Sequence, residues 1–273
     1  MRTPKRRGAV VTAVMGAVML LCAAVRPSDA EGVGSFTAVA DADYPHSTSA
    51  WTQGLESSDG ILYESGGGFG TSFVSAGRPG REPRTQVGLP ADLYAEGITV
   101  GGGRLWQLTW RNGVLLERDR ETLAELARHD LPGEAWGLCY LADEDAFVLS
   151  NGTDALTVRD RATLAVVRVL KVTVSGRPLP SLNELECDGG TVYANVLGSS
   201  WIVGVDPVSG AVVKCVDVTG LVARQGAQAG PLNGIAALGD GGFLITGKKW
   251  AHLYRVHLVP GPSGASRGAP RGC

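Results

Sequence analysis

Five short segments of this 273-residue chain look like copies of one another. They are Thr52-Gln53-Gly54-Leu55, Ala95-Glu96-Gly97-Ile98, Ala135-Trp136-Gly137-Leu138, Asn183-Glu184-Leu185 and Asn233-Gly234-Ile235. Centred on the glycine, or on Glu184 where the glycine is missing, they sit at 54, 97, 137, 184 and 234, at intervals of 43, 40, 47 and 50. A repeat this short cannot bury its own apolar face and must stack on its neighbours, so one supersecondary unit recurs along the chain. Intervals in the forties are the size of a four-stranded propeller blade.

Each segment is followed by a run of strand character: Ile61-Leu62-Tyr63, Arg104 to Leu108, Ala146 to Leu149, Thr191 to Ala194 and Gly242 to Ile245. A third strand and a turn follow. The clearest copies are Arg118 to Ala124 and Arg159 to Ala165, with Val205 to Gly210 as a third version carrying Asp, Pro, Ser and Gly turn chemistry. Thr122 to Arg128 alone resembles a short helix, but its twin continues into the β-branched Val166-Val167-Arg168-Val169, so both are read as strand. The expected fold is all-β, a five-bladed β-propeller, with Phe36 to Ala40 adding a strand to the last blade and hiding the edges an open sheet would expose.

Composition narrows the field further. The chain is 44% hydrophobic and holds 39 glycines, which excludes wholesale disorder and makes an all-helical bundle a poor fit. The formal charge of −2 lacks the basic field of a nucleic-acid binder. Residues 1–30 read as a secretory signal peptide: basic Arg2, Lys5, Arg6 and Arg7, an apolar run from Gly8 to Val25, then Ser28-Asp29-Ala30. An uncleaved membrane anchor is the alternative, since the run is just long enough to span. Without these residues the chain carries 20 basic against 26 acidic side chains, −6, which suits a secreted or periplasmic protein. No membrane contact beyond this segment is expected, and a monomer is. The catalytic domain is placed at 31–259, and the Gly, Pro, Ser and Arg-rich tail 260–273 is expected to be disordered.

Export permits disulfides among Cys139, Cys187, Cys215 and Cys273. Cys187 with Cys215 is one candidate pair and Cys139 a candidate core residue, but the connectivity stays open. No C-x-x-C metal spacing is present, and no metal or cofactor is expected.

The innermost strand of a propeller blade lines the central channel, and the channel mouth is the usual site. The repeated segments should therefore carry any chemistry. They supply Gln53, Glu96, Trp136, Asn183 and Asn233, with Glu64 and Glu184 nearby. Amides there can equally serve to satisfy backbone groups, and a Trp can simply fill core.

A run of motifs then resembles the plant and bacterial type of glutamine cyclotransferase (glutaminyl-peptide cyclotransferase). These are Tyr44-Pro45-His46, Trp51 to Glu56, Leu62 to Ser65, Tyr94 to Thr99, Gln107 to Trp110, Trp136-Gly137-Leu138, Leu182 to Glu186, Tyr193 to Val196, Leu232 to Ala236 and Thr246 to Trp250. They follow family order across residues 36 to 259. The resemblance implies a five-bladed propeller. It implies an acyltransferase of the aminoacyltransferase class that converts N-terminal glutamine of peptides and proteins to pyroglutamate, releasing ammonia. It also implies roles. Glu96 resembles the catalytic carboxylate, a proton shuttle acting as general base and then general acid. Gln53, Asn183 and Lys248 resemble the polar groups that hold the amide and stabilise the oxyanion. Trp51, Tyr94, Trp110 and Trp136 resemble the aromatic lining that excludes water. Glu64 is the fallback shuttle, and Lys249 beside Lys248 leaves the register open by one residue. Leu197 stands where the family usually has Trp; Trp201, four residues on, is a candidate to fill that space.

Two other readings compete. A metal-dependent lactonase-type propeller would gather Glu96, Asn151, Asn183 and Glu184 around a divalent ion. A non-catalytic exported binding propeller would need none of these groups for chemistry.

Overall fold

A computed structural model describes residues 32–261 and 268–273, of which Gly32–Cys273 form one compact unit. The proposed signal peptide lies outside the described residues. Among the described residues no helix is long and apolar enough to cross a membrane.

After a long opening strand, β1 (Gly34–Pro45), the chain lays down antiparallel four-stranded sheets in sequence order. The first is β2 (Thr52–Ser58), β3 (Ile61–Gly66), β4 (Phe73–Gly77) and β5 (Thr85–Gly88). The second is β6 (Ala95–Gly101), β7 (Arg104–Thr109), β8 (Val114–Arg118) and β9 (Glu125–Asp130). The third is β10 (Leu138–Leu141), β11 (Ala146–Leu149), β12 (Ala155–Asp160) and β13 (Val166–Lys171). A small hairpin, β14 (Thr173–Val174) and β15 (Arg177–Pro178), precedes the next group. That group is β16 (Leu182–Asp188), β17 (Thr191–Val196), β18 (Trp201–Val205) and β19 (Val212–Asp217). One helical turn, α1 (Thr219–Val222), leads to β20 (Leu232–Ala237), β21 (Phe243–Gly247) and β22 (His252–Pro260).

The first strand of each group packs on the first strand of the next. β2 packs on β6, β6 on β10, β10 on β16, β16 on β20, and β20 back on β2. The sheets therefore stand in a closed, propeller-like circuit. The repeated glycines set its tightness. A Cβ on Gly54 would lie 2.6 Å from the Ile98 nitrogen, and one on Gly97 would lie 2.6 Å from the Leu138 nitrogen. Only hydrogen at these positions lets neighbouring inner strands approach so closely.

β1 closes the circuit. It pairs antiparallel with β22, from Phe36 opposite Pro260 to Pro45 opposite His252. Its first residues, Gly34 to Thr37, also run parallel to Lys214–Asp217 of β19. The strand expected to join the last group thus binds two groups into one eight-stranded sheet. The turns after the third strands rest on repeated aspartates. Asp119 accepts from the backbone of Glu121 and Thr122, Asp160 from Thr163, and Asp206 from Val208 and Ser209.

The cores lie between sheets. Phe147 is fully buried with its ring 5.1 Å from Trp106 and 6.0 Å from Tyr140, joining the second and third sheets. Leu156, Val158, Leu185, Val192 and Val203 fill the space between the third and fourth groups.

Two disulfides cross this frame: Cys139 of β10 bonds Cys187 of β16, and Cys215 of β19 bonds Cys273. The candidate pair Cys187–Cys215 is therefore wrong. Those residues lie on the first and last strands of one group, three strand spacings or about 14 Å apart, beyond disulfide reach. Cys139 is buried in a strand as expected, but bonded rather than free. Part of the tail has contacts of its own, while residues 262–267 lie outside the described residues. Gly268–Cys273 are anchored by the Cys215 bond, with Ala269 and Cys273 packed on the core and the Gly272 carbonyl accepting from Ser175 Oγ at 3.2 Å. Composition alone registers neither contact.

Candidate active site

The repeated segments carry an irregularity that aims their polar residues. Register shifts interrupt the ladder between Thr52 and Gly54, Ala95 and Ile98, Leu182 and Leu185, and Leu232 and Ile235. Gln53, Glu96, Asn183 and Asn233 lie within these bulges. A bulge frees a residue from the pleat and redirects its side chain. At each of these sites the result is a buried polar group.

Gln53, Glu96 and Asn183 line one cavity of about 190 Å³ with Trp51, Tyr94, Trp110, Trp136, Leu197 and Lys248. All eight side chains expected at the site are among them. Trp51 immediately precedes β2 and Tyr94 immediately precedes β6; Trp110 follows β7, and Lys248 follows β21. Loop residues at strand ends thus supply the aromatic wall, and bulged strand residues supply the polar floor.

The polar groups form a chain. Lys248 Nζ donates to Gln53 Oε1 at 2.5 Å, and Gln53 Nε2 donates to Glu96 Oε1 at 3.0 Å. The Gln53 amide is oriented at both ends and relays between a cation and a carboxyl. Asn233 supports it from below, donating to the Thr52 carbonyl at 3.0 Å. The Asn183 side chain has no hydrogen-bond partner among the described residues. Lys248 also sits 5.3 Å from the centre of the Trp51 ring.

Burial dominates the electrostatics. Glu96 is 4% exposed and Lys248 6%. Burial pushes the Glu96 carboxyl up to about 8; the Lys248 charge opposes the rise and Glu134 adds to it. Burial pulls Lys248 down to about 8, against the attraction of Glu96. A carboxyl raised and an amine lowered to about 8 are suited to acid–base chemistry near neutral pH. Burial likewise raises Tyr94, with Glu96 adding to the effect.

The remaining candidates separate cleanly. Glu64 is off the cavity: its Oε1 accepts from Thr52 Oγ1 at 2.7 Å and faces His46 Nε2 at 3.1 Å. Glu184 spans the inner ring, accepting from the backbone of Leu55 at 3.2 Å and of Ile235 at 2.9 Å. Asn151 lines a different cavity, so the four residues of the lactonase-type reading do not converge. Among the described residues no cluster of three His, Cys, Asp or Glu is placed to hold a metal. Lys249 is exposed while Lys248 faces the cavity, which fixes the register. Trp201 is 2% exposed within the core of its sheet and does not reach the site. The wall at Leu197 is therefore not rebuilt by an indole.

One residue was missed. Glu134 accepts from the indole nitrogens of both Trp110 and Trp136. Its position two residues before Trp136 was the available signal, but only geometry joins it to Trp110.

Comparison with known proteins places the chain in a family. A family model described as glutamine cyclotransferase matches residues 13–258. A glutaminyl-peptide cyclotransferase of Arabidopsis thaliana is 32% identical over 227 residues, covering 80% of this chain and 70% of that protein. The crystal structure of Myxococcus xanthus glutaminyl cyclase superposes with a TM-score of 0.76 at 33% identity, over 83% of this chain and 98% of that one. The chain belongs to the glutamine cyclotransferase family.

Proposed function

We propose that this chain is a glutaminyl-peptide cyclotransferase whose proton shuttle is Glu96. The observation that carries the reading is the Lys248–Gln53–Glu96 chain, set in an aromatic cavity. Family membership supports the activity itself: conversion of an N-terminal glutamine to pyroglutamate with loss of ammonia.

The reaction dictates what the site must supply. The substrate's α-amine attacks its own side-chain amide carbon, forming a C–N bond and closing a five-membered ring. The tetrahedral carbon then expels the amide nitrogen as ammonia. Ring closure makes the step unimolecular, so proximity is largely intrinsic once the side chain is folded back. The difficulty is the proton. The attacking nitrogen must lose one, and the leaving nitrogen must gain one. Gln53 occupies Glu96 Oε1, which leaves Oε2 to take the first proton and deliver the second. Lys248 and the Asn183 amide are the donors for the oxyanion. The indoles of Trp51, Trp110 and Trp136 with the Tyr94 ring exclude water from the intermediate.

The fold is proposed as a five-bladed propeller. The closed circuit of inner strands β2, β6, β10, β16 and β20 supports that count, with β1 serving as outermost strand of the last blade. The basic, apolar and small-residue pattern of residues 1–30 supports export, so that the enzyme would act on peptides and proteins outside the cytoplasm.

The test is direct. The protein lacking residues 1–30 is incubated with a Gln-initiated peptide while ammonia release and the matching mass loss are followed, with and without a chelator. Cyclisation above the spontaneous rate, indifferent to chelation, is expected. No acceleration sinks the proposal; dependence on a chelatable metal would return the lactonase-type arrangement.

A further inference from the structure

Glu134 lies in the segment between β9 and β10, and a single oxygen of its carboxylate gathers two indoles. Trp110 Nε1 donates to Glu134 Oε1 at 2.7 Å, and Trp136 Nε1 donates to the same atom at 3.0 Å. The two rings come from different sheets, one after β7 and one before β10, and both line the cavity. Arg111 completes the arrangement. Its guanidinium lies 3.2 Å from Glu134 Oε2 and stacks over the Trp110 ring at 4.2 Å from the centroid.

An indole has only two side-chain torsions, so one hydrogen bond at its nitrogen fixes the plane of the ring. Here one acceptor fixes two rings at once. A carboxylate is suited to this because it accepts several bonds without offering a competing donor.

We propose that Glu134 is a positioning residue of the cyclisation site, a clamp that holds the rings of Trp110 and Trp136 as the wall against which the substrate's glutamine side chain folds back. The inference rests on the cyclotransferase reading above and goes beyond it by assigning a job to a residue outside the reacting groups.

The clamp has two separable properties, an acceptor and a charge. The acceptor holds the rings. The charge acts on Glu96, which also faces Lys248 and the Tyr94 hydroxyl, while Arg111 offsets part of it. Glu134→Gln keeps a carbonyl oxygen that can accept both indole N–H groups but removes the charge. Glu134→Ala removes both.

Steady-state kinetics on a Gln-initiated peptide, with indole N–H NMR of the same full-length variants without substrate, separate these properties. In the wild type, the signals lost in Trp110→Phe and Trp136→Phe should be shifted downfield and slow to exchange. Glu134→Ala should release them and raise KM about tenfold or more, the loss expected for hydrogen bonds to a charged acceptor, with a smaller change in kcat. Glu134→Gln should keep the indole signals and a KM near wild type, and move the acid limb of kcat/KM to lower pH, because losing a nearby anion favours the Glu96 carboxylate. Wild-type KM in Glu134→Ala, or indole signals that exchange freely in the wild type, overturns the clamp. So does an equal rise in KM in both variants. If Glu134→Ala fails to fold, Glu134→Gln and the indole signals decide alone. A wild type that does not cyclise the peptide would sink the activity instead, a result the substrate-free NMR does not mimic.

Discussion

Gln53 separates what would otherwise be a buried ion pair. If Lys248 bonded Glu96 directly, each would hold the other in its charged form. With the amide between them, the carboxyl stays high and the amine low, both near 8. Two predictions belong to this scale. Glu96→Gln keeps the size of the side chain and removes its basicity, so turnover should fall by roughly 10² or more with the fold intact; circular dichroism and single-turnover ammonia release check this, and a wild-type rate would remove Glu96 from the chemistry. The second concerns pH. Glu96 must be ionised to take the proton, so kcat/KM should rise as pH approaches about 8, and Lys248 must be charged to hold the oxyanion, so it should fall beyond. Lys248→Met removes the cation that favours the Glu96 anion. Its ascending limb should move to higher pH, and kcat should drop by about 10² to 10³ if the ammonium serves the oxyanion. A limb that stayed in place would show that Lys248 does not act on Glu96. Gln53 and Glu96 were legible in the sequence because they recur at the repeated segments, whereas Lys248 was reached only through the resemblance of Thr246 to Trp250 to the family. Glu134 was not, because its role is a shared hydrogen bond between Trp110 and Trp136, residues 26 positions apart.

The strands were visible as alternating runs bounded by Gly, Asp and Asn, and the second strands fall where those runs placed them. The bulges were not visible. An extra residue in a strand changes no composition, and nothing in Ala95-Glu96-Gly97-Ile98 announces that Glu96 leaves the ladder. Yet the bulge and its glycine explain why the segments repeat at all: the bulge aims the polar side chain, and the glycine admits the neighbouring strand. Gly97→Ala tests the link. Its Cβ would lie 2.6 Å from the Leu138 nitrogen and 2.7 Å from the Trp136 carbonyl oxygen, both backbone atoms that cannot rotate aside. A destabilisation of about 1–3 kcal/mol is expected, together with a fall in kcat, because the strained peptide carries Glu96. Phe147→Ala is the contrast. It empties a buried site between the second and third sheets at a cost of about 3–5 kcal/mol, and the folded fraction should turn over normally. Denaturant unfolding and kcat on the same samples separate the two; equal kinetic damage from both would mean the bulge is not what positions Glu96.

The whole molecule is held closed by its two ends. β1 joins β22 and β19, and Cys273 bonds Cys215 within that same β19. The start of this closure was foreseen from Phe36 to Ala40, since a strand-like run before the first repeat needs a partner. The parallel pairing to β19 and the second disulfide were hidden, because both depend on which strand edges meet in space. The two fastenings should fail differently. Cys273→Ser removes a cross-link that limits the unfolded chain, at a cost of about 2–5 kcal/mol, while every ladder remains paired. That variant should melt earlier but keep the wild-type oligomeric state and activity. Removing residues 32–45 takes away a strand with partners on both sides and exposes the edges of β19 and β22 together. Paired edges are what keep sheets from joining one another, so this truncation should elute as oligomers or aggregate, even with both disulfides formed. Size-exclusion chromatography and thermal unfolding of the two variants in oxidising buffer read the difference. A truncated chain that kept the wild-type oligomeric state and stability would show that the circuit closes through β2 and β20 alone, with β1 only laid over the seam.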